Sequence, residues 1–266
     1  MDSATFERLR TIIYDSSGIS LRETKEAMVS ARIAKRMRAL GLETHEQYLR
    51  VLEHDDGGET TRFLDVISTN VTSFFRESQH FDFLRDVLTA RQRSGISKIR
   101  IWSAAASTGE EALSAAMVAW DVFGARPVDC KILATDISTR ALVKAQQGIY
   151  DELQMENVPE QLRRRFFVRM RDGNVTRYRA CVELMGRIVY RRLNLSRPPF
   201  PMRGPLDVVF CRNVMIYFDN EVRNRLIKEI YRLLQPGGYL FTGHAESLNS
   251  LKTDFVCIRP TIYQKH

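Results

Sequence analysis

The chain has 266 residues, 44% hydrophobic and 27% charged, enough to bury a real core in one large or two modest domains. No apolar run approaches the roughly 20 residues that span a bilayer, and the opening MDSATFERLR lacks the apolar stretch of a signal peptide, so a cytoplasmic protein without membrane insertion is expected. The formal charge of +8 points to acidic partners, and where that charge sits decides among them.

The first quarter reads as helices. Phe6, Leu9, Ile12 and Ile13 follow helical spacing, and Tyr14 to Ser20 reads as a turn. Residues 21–40 form a basic helical segment that stops at Gly41. Thr44-His-Glu-Gln47 is a capping box, Asp55-Asp-Gly-Gly58 is a break, and a further helix covers about 60–68. Residues 1–69 are therefore expected to be a small all-helical domain. Asn70 to Phe75 is a junction, followed by a helix through Phe81, Leu84 and Leu88.

The pattern then changes. Apolar runs at Ile99–Trp102, Lys131–Thr135, Leu206–Cys211 and Tyr239–Gly243 alternate with helical stretches, which predicts βαβ units and a parallel sheet covered by helices. Pro236-Gly-Gly238 reads as the stop between the last helix and its strand. Residues 165–191 break the rhythm: two short strand patterns flank Asp172-Gly-Asn174, which predicts a β-hairpin inserted in the α/β domain of residues 70–266. Cys130, Cys181, Cys211 and Cys257 contain no Cys-x-x-Cys and read as reduced thiols, so no metal site is expected.

Ile101-Trp-Ser-Ala-Ala-Ala-Ser-Thr-Gly-Glu-Glu111 joins a strand to a helix with a single glycine. A diphosphate favours several glycines and a helix N-terminus free of acids. Glu110 and Glu111 instead suit a nucleoside ligand with a cationic part, and S-adenosylmethionine has an ammonium, a sulfonium and no phosphate. Ala104, Ala105 and Ala106 permit close backbone approach. On this string alone, a tightly packed turn with two acids favoured by the helix dipole explains the residues equally well. Asp136 ends the next strand, where an acid grips ribose hydroxyls. Asn194-Leu195 and Arg212-Asn213 also fall at strand ends, on the ligand side of such a sheet.

These strings, with Thr69-Asn-Val-Thr-Ser-Phe-Phe-Arg-Glu77, Phe210-Cys-Arg-Asn-Val-Met-Ile-Tyr-Phe218 and Pro236-Gly-Gly-Tyr-Leu-Phe-Thr-Gly-His-Ala-Glu-Ser247, resemble the CheR-type chemotaxis receptor methyltransferases over nearly the whole chain. The resemblance implies an α/β fold: a small all-helical N-terminal domain, then a Rossmann-like class I methyltransferase domain with an inserted antiparallel β-hairpin subdomain. It implies methyl esterification of glutamates on cytoplasmic helices of methyl-accepting chemotaxis receptors, with S-adenosyl-L-homocysteine as the product. By resemblance Asn70, Thr72, Arg76, Glu110, Asp136, Asn194, Leu195, Arg212 and Asn213 are cofactor contacts, and Ala105 joins them. Arg76 can clamp a carboxylate through two hydrogen bonds. Glu110 can take an ammonium, with an adenosine contact as the alternative. The family often has Pro-Tyr where this chain has Ala112-Leu113.

A glutamate side chain, with a pKa near 4.3, is already a nucleophile at neutral pH, so no strong base is needed. Tyr217 is the expected catalytic residue, orienting the acceptor beside the transferring methyl, and His244 is read as structural. Lys25, Arg32 and Arg36 share a helical face and, with Arg22, are expected to meet acidic receptor helices. No nucleic-acid module is visible and aromatics do not interleave the basic run, so nucleic acid is not expected. The insertion carries further arginines, and some relatives of this type bind a receptor C-terminal peptide there by strand addition. A monomer is expected.

Overall fold

The computed structural model describes residues 1–124 and 126–266. The chain opens with four helices: α1 (Ser3–Ser17), α2 (Glu26–Ala39), α3 (His45–Glu53) and α4 (Gly58–Ile67). Asp2 caps α1 by accepting from the Thr5 N–H at 2.9 Å, and Gly18, at φ 73°, ends it. The expected turn thus begins later than Tyr14. The Ser17 hydroxyl donates back to the Ile13 carbonyl at 2.6 Å, so a residue that usually breaks helices is absorbed into this one. The Thr44–Gln47 capping box starts α3 as its spacing requires. Phe6, Leu9, Ile13, Val29, Ile33, Leu49 and Phe63 close a core of their own. Each of these side chains contributes roughly 1.5–3 kcal/mol of burial.

The remaining chain alternates as its apolar runs require. In order come α5 (Gln79–Arg93), β1 (Lys98–Ser103), α6 (Glu110–Phe123), β2 (Asp129–Asp136), α7 (Thr139–Gln147) and β3 (Ile149–Asp151). Then follow α8 (Glu160–Phe166), β4 (Phe167–Asp172), β5 (Val175–Ala180), α9 (Val182–Met185), β6 (Ile188–Arg192) and β7 (Leu206–Cys211). The chain ends with α10 (Asn220–Leu233), β8 (Leu234–Thr242), β9 (Val256–Arg259) and β10 (Ile262–Gln264). The main sheet runs β6-β2-β1-β7-β8-β10-β9. Its first five strands are parallel, and β10 and β9 add antiparallel. Strand order reverses between β1 and β7, which opens a crevice at their carboxyl ends.

Two differences from the sequence reading have physical causes. Pro236-Gly-Gly238 does not separate helix from strand: it lies inside β8, where the register against β7 shifts. Gly237 there donates its N–H to the Lys265 carbonyl at 2.7 Å. The hairpin β4–β5 forms around Gly173-Asn174, but it recruits β3 as a third strand in the order β3-β5-β4. Three residues are too few to show an alternating pattern. Ile188 to Arg192, the strand that leads to Asn194, runs in the main sheet beside β2.

Candidate active site

A cleft of about 610 Å³ lies at the reversal point of the sheet, between the strand ends and the N-terminal helices. Its floor is Ala104 and Ala105, just past β1. Ala104 N–H donates to the Phe210 carbonyl and Ala106 N–H to the Thr135 carbonyl, both at 2.8 Å, so the loop is zipped between β7 and β2. Trp102 supports it from below through Nε1 to Thr135 Oγ1 at 2.9 Å. Gly109 takes φ 98°, and a Cβ there would stand 3.0 Å from both Ala145 Cβ and Tyr150 Oη. The loop needs its one glycine for that turn and that contact.

Asp136 faces the cleft from the end of β2. Its Oδ2 accepts from the Ser107 N–H at 2.8 Å and its Oδ1 from the Ser138 N–H at 2.9 Å. Burial pushes its carboxyl pKa up, against the lowering effect of those N–H groups. Each oxygen keeps a lone pair for ribose hydroxyls. Arg76 lines the same cleft. It donates to the Val71 carbonyl at 3.0 Å and, among the described residues, pairs with no carboxylate. An unneutralised guanidinium inside a cleft of this size fits the carboxylate end of an amino-acid-bearing nucleoside.

Asn70, Thr72, Ala105, Asn194, Leu195, Arg212, Asn213 and Tyr217 all line the same cleft. The Asn194 side chain is already committed: its Nδ2 donates to the Ser16 carbonyl at 2.8 Å, and its Oδ1 accepts from Ser196 N and Oγ. Arg212 is 5% exposed and sits between Glu111 Oε2 at 3.2 Å and Glu77 Oε2 at 3.4 Å. It also donates to the Arg76 carbonyl. Burial raises the Glu77 carboxyl pKa, but the neighbouring positive charge, Arg212 first, outweighs it and the net shift is downward. For Glu111 burial prevails over Arg212 and the pKa rises. Arg212 therefore builds the wall behind the cleft.

Two expected residues lie elsewhere. Glu110 does not line the cleft: it is buried under the loop, accepting from Thr108 Oγ1 at 2.7 Å and Gln154 Nε2 at 3.0 Å. Neighbouring helix positions point about 100° apart, and it is Glu111 that turns to the cleft. Arg36, half-buried, is folded onto the buried Glu59 through Nε at 2.9 Å and Nη2 at 2.6 Å. It is separated from Arg22 and Lys25, which are exposed at the cleft rim, and from Arg32, which also lines the cleft. Arg32 donates to the Ile67 carbonyl and to Thr69 Oγ1, tying α2 to the junction segment. Four residues other than glycine with positive φ lie in or next to the cleft lining: Ser107 at 50° and Asn213 at 57° line it, and Phe75 at 52° and Glu77 at 56° flank Arg76, which does. Strain concentrates where the ligand would sit.

A doubly wound sheet, a small-residue loop after its first strand, an acid ending its second and a cation in the cleft without a carboxylate partner among the described residues define a Rossmann-like nucleoside-cofactor enzyme. Comparison with known proteins makes this specific. Residues 70–264 match the family described as CheR methyltransferase, SAM binding domain, and residues 4–68 match CheR methyltransferase, all-alpha domain. A chemotaxis protein methyltransferase of Escherichia coli is 40% identical over 264 residues, 99% of this chain and 91% of that protein. Chemotaxis protein methyltransferase 2 of Pseudomonas aeruginosa is 40% identical over 242 residues, covering 91% and 86%. The chemotaxis protein methyltransferase of Borreliella burgdorferi is 36% identical over 268 residues, covering 97% and 93%. The chain belongs to the CheR methyltransferase family, and S-adenosylmethionine is its cofactor.

Proposed function

We propose that the enzyme methylates glutamate side chains on the cytoplasmic helices of chemotaxis receptors. The observation that carries this reading is the cleft mouth: Tyr217 stands in the same cavity as Arg22 and Lys25, both exposed and without a carboxylate partner among the described residues. Val71 and Ile216, 77% and 52% exposed, flank it. A positive rim with apolar patches suits an acidic amphipathic helix.

When bound, S-adenosylmethionine supplies an electrophilic methyl group and leaves as S-adenosylhomocysteine. The residues of the chain hold and orient. Arg76 fixes the amino-acid end, Asp136 the ribose, and Ala104 and Ala105 allow close approach of the backbone. Asn70, Thr72, Asn194, Leu195 and Asn213 complete the wall. The acceptor carboxylate arrives ionised, so no residue has to remove a proton. Tyr217 donates a hydrogen bond that turns one carboxylate oxygen toward the methyl, and closure of the rim strips water from it.

Residues 1–69 serve as the receptor-facing domain and 70–266 as the catalytic one. Among the described residues strand β4 pairs with β5 alone, which leaves an open edge on a subdomain rich in arginine. We read that edge as the seat of a receptor C-terminal peptide. No helix of the described residues is long and apolar enough to cross a membrane, and the enzyme works as a cytoplasmic monomer on this reading.

The test is transfer of radiolabelled methyl to membranes bearing chemoreceptors. A receptor-sized band that releases labelled methanol in mild alkali is the expected result. Alkali-stable label, or none on receptors, overturns the reading.

A further inference from the structure

Glu246 is 1% exposed and sits in no motif assigned to cofactor binding. Among the described residues no cation lies within ion-pair distance of it. Its carboxylate is satisfied instead by three backbone N–H groups. Oε2 accepts from Asn213 N at 2.6 Å and Gly243 N at 2.7 Å, and Oε1 accepts from Ile216 N at 3.2 Å. A buried carboxylate without a counter-charge is costly to keep unless its lone pairs are filled.

What those bonds hold is the segment Arg212 to Phe218, which lines the cleft and carries Tyr217. Asn213 takes φ 57°, a conformation unfavourable for a side chain unless its surroundings enforce it. Gly243 completes the junction. A Cβ there would stand 2.5 Å from Asn213 Nδ2 and 2.7 Å from Glu246 Oε2. The single turn Met215–Tyr217 follows directly, with Tyr217 N–H on the Val214 carbonyl at 3.1 Å. One carboxylate therefore fixes both ends of the stretch that aims Tyr217.

We infer that Glu246 is a positioning residue for methyl transfer, acting through the 213–217 loop on Tyr217. This rests on the proposed role of Tyr217. The two oxygens are not equivalent. Oε2 secures Asn213 beside the cofactor wall, whereas Oε1 secures Ile216, next to Tyr217. In Glu246→Gln the amide oxygen keeps the Asn213 and Gly243 bonds, and the amide NH2 then faces the Ile216 N–H, donor against donor. That change loosens the Tyr217 end alone.

The test is a double-mutant cycle of Glu246→Gln and Tyr217→Phe, with kcat from radiolabelled transfer and S-adenosylhomocysteine affinity from calorimetry. Glu246→Gln lowers kcat by about tenfold or more while the Kd for S-adenosylhomocysteine stays within about threefold. In the Tyr217→Phe background the same change lowers kcat by less than about twofold. Full kcat in Glu246→Gln overturns the inference, and so does a loss that multiplies with that of Tyr217→Phe or falls equally on Kd. Tyr217→Phe alone tests the underlying reading, since unchanged kcat there sinks the role of Tyr217 itself. Should the glutamine variant not fold, Glu246→Asp keeps the charge but withdraws both oxygens by one methylene; it loosens both ends, so there only the coupling of kcat to Tyr217→Phe is read, and losses that simply multiply overturn the inference.

Discussion

The backbone N–H of Ser20 donates to the Tyr217 carbonyl at 2.8 Å, so the helical region and the loop bearing the proposed catalytic group are hydrogen-bonded to each other. Ile19 and Phe218 pair as an antiparallel bridge beside it, and Tyr14 Oη donates to Asp219 Oδ2 at 2.5 Å. Gly18 makes this approach possible, since a Cβ at its φ of 73° would collide with Ser196 Cβ. Gly18→Ala is expected to cost about 1–3 kcal/mol of stability. It is also expected to lower methyl transfer beyond the fraction unfolded. Urea midpoints and activity measured on the same preparation check this.

Arg76 lines the cleft with no carboxylate partner among the described residues. Arg76→Ala is expected to weaken S-adenosylhomocysteine binding by about 10–100-fold, the worth of a charge-assisted contact of roughly 1.5–3 kcal/mol. Adenosine, which lacks the amino-acid end, is expected to bind the variant as it binds the wild type. Calorimetry with both ligands separates these outcomes.

Asp136→Asn is expected to reverse that pattern. One amide NH2 must face the N–H of Ser107 or Ser138, and the ribose acceptor is weakened. Affinity for adenosine and for S-adenosylhomocysteine is therefore expected to fall together, by about tenfold or more. Equal binding of adenosine by this variant and the wild type would remove Asp136 from the ribose site.

His80 supplies a pH signature. It is fully buried, stacks on Phe241 at 5.3 Å and shares Nε2 with Thr261 Oγ1 at 2.7 Å. Burial, and next Arg212, push its pKa down to about 4 from 6.5. The folded state therefore binds this proton less readily than the unfolded chain. Its contribution is fully present above about pH 6.5 and is lost as pH falls toward 4, a difference of about 3 kcal/mol. Wild type is expected to lose more stability between pH 7.5 and pH 5 than His80→Gln does. Equal losses in urea melts at the two pH values would count against it.

The strands and helices that carry the cofactor site are legible in the sequence because their apolar runs are long and bounded by clear caps. Thr44 and Gln47, and the alternation from Ile99 to Cys211, needed no tertiary information. The three-residue β3 has too few positions for a period to appear. The short strands β9 and β10 pass unread for the same reason. Among site residues, strand-end positions such as Asp136 and Asn213 can be placed on the ligand side by topology alone. Which of Glu110 and Glu111 turns inward cannot, because it depends on how Gly109 rotates the first helical turn. Arg36 reads as surface charge until Glu59, 23 residues away, is seen beneath it. Glu246 is visible in Gly-His-Ala-Glu-Ser, yet two of the three N–H groups it collects, those of Asn213 and Ile216, come from a loop some 30 residues earlier in the chain.

Phe75, Glu77, Ser107 and Asn213 hold left-handed backbone around the cleft without being glycine. Each gives up roughly 1 kcal/mol that a glycine would recover. A population of variants selected for heat resistance alone would be expected to drift toward glycine at these positions, while selection for turnover would hold them. Thermal robustness and enzymatic fitness thus pull on the same four backbone positions in opposite directions, and the wild-type residues mark where that contest has come to rest.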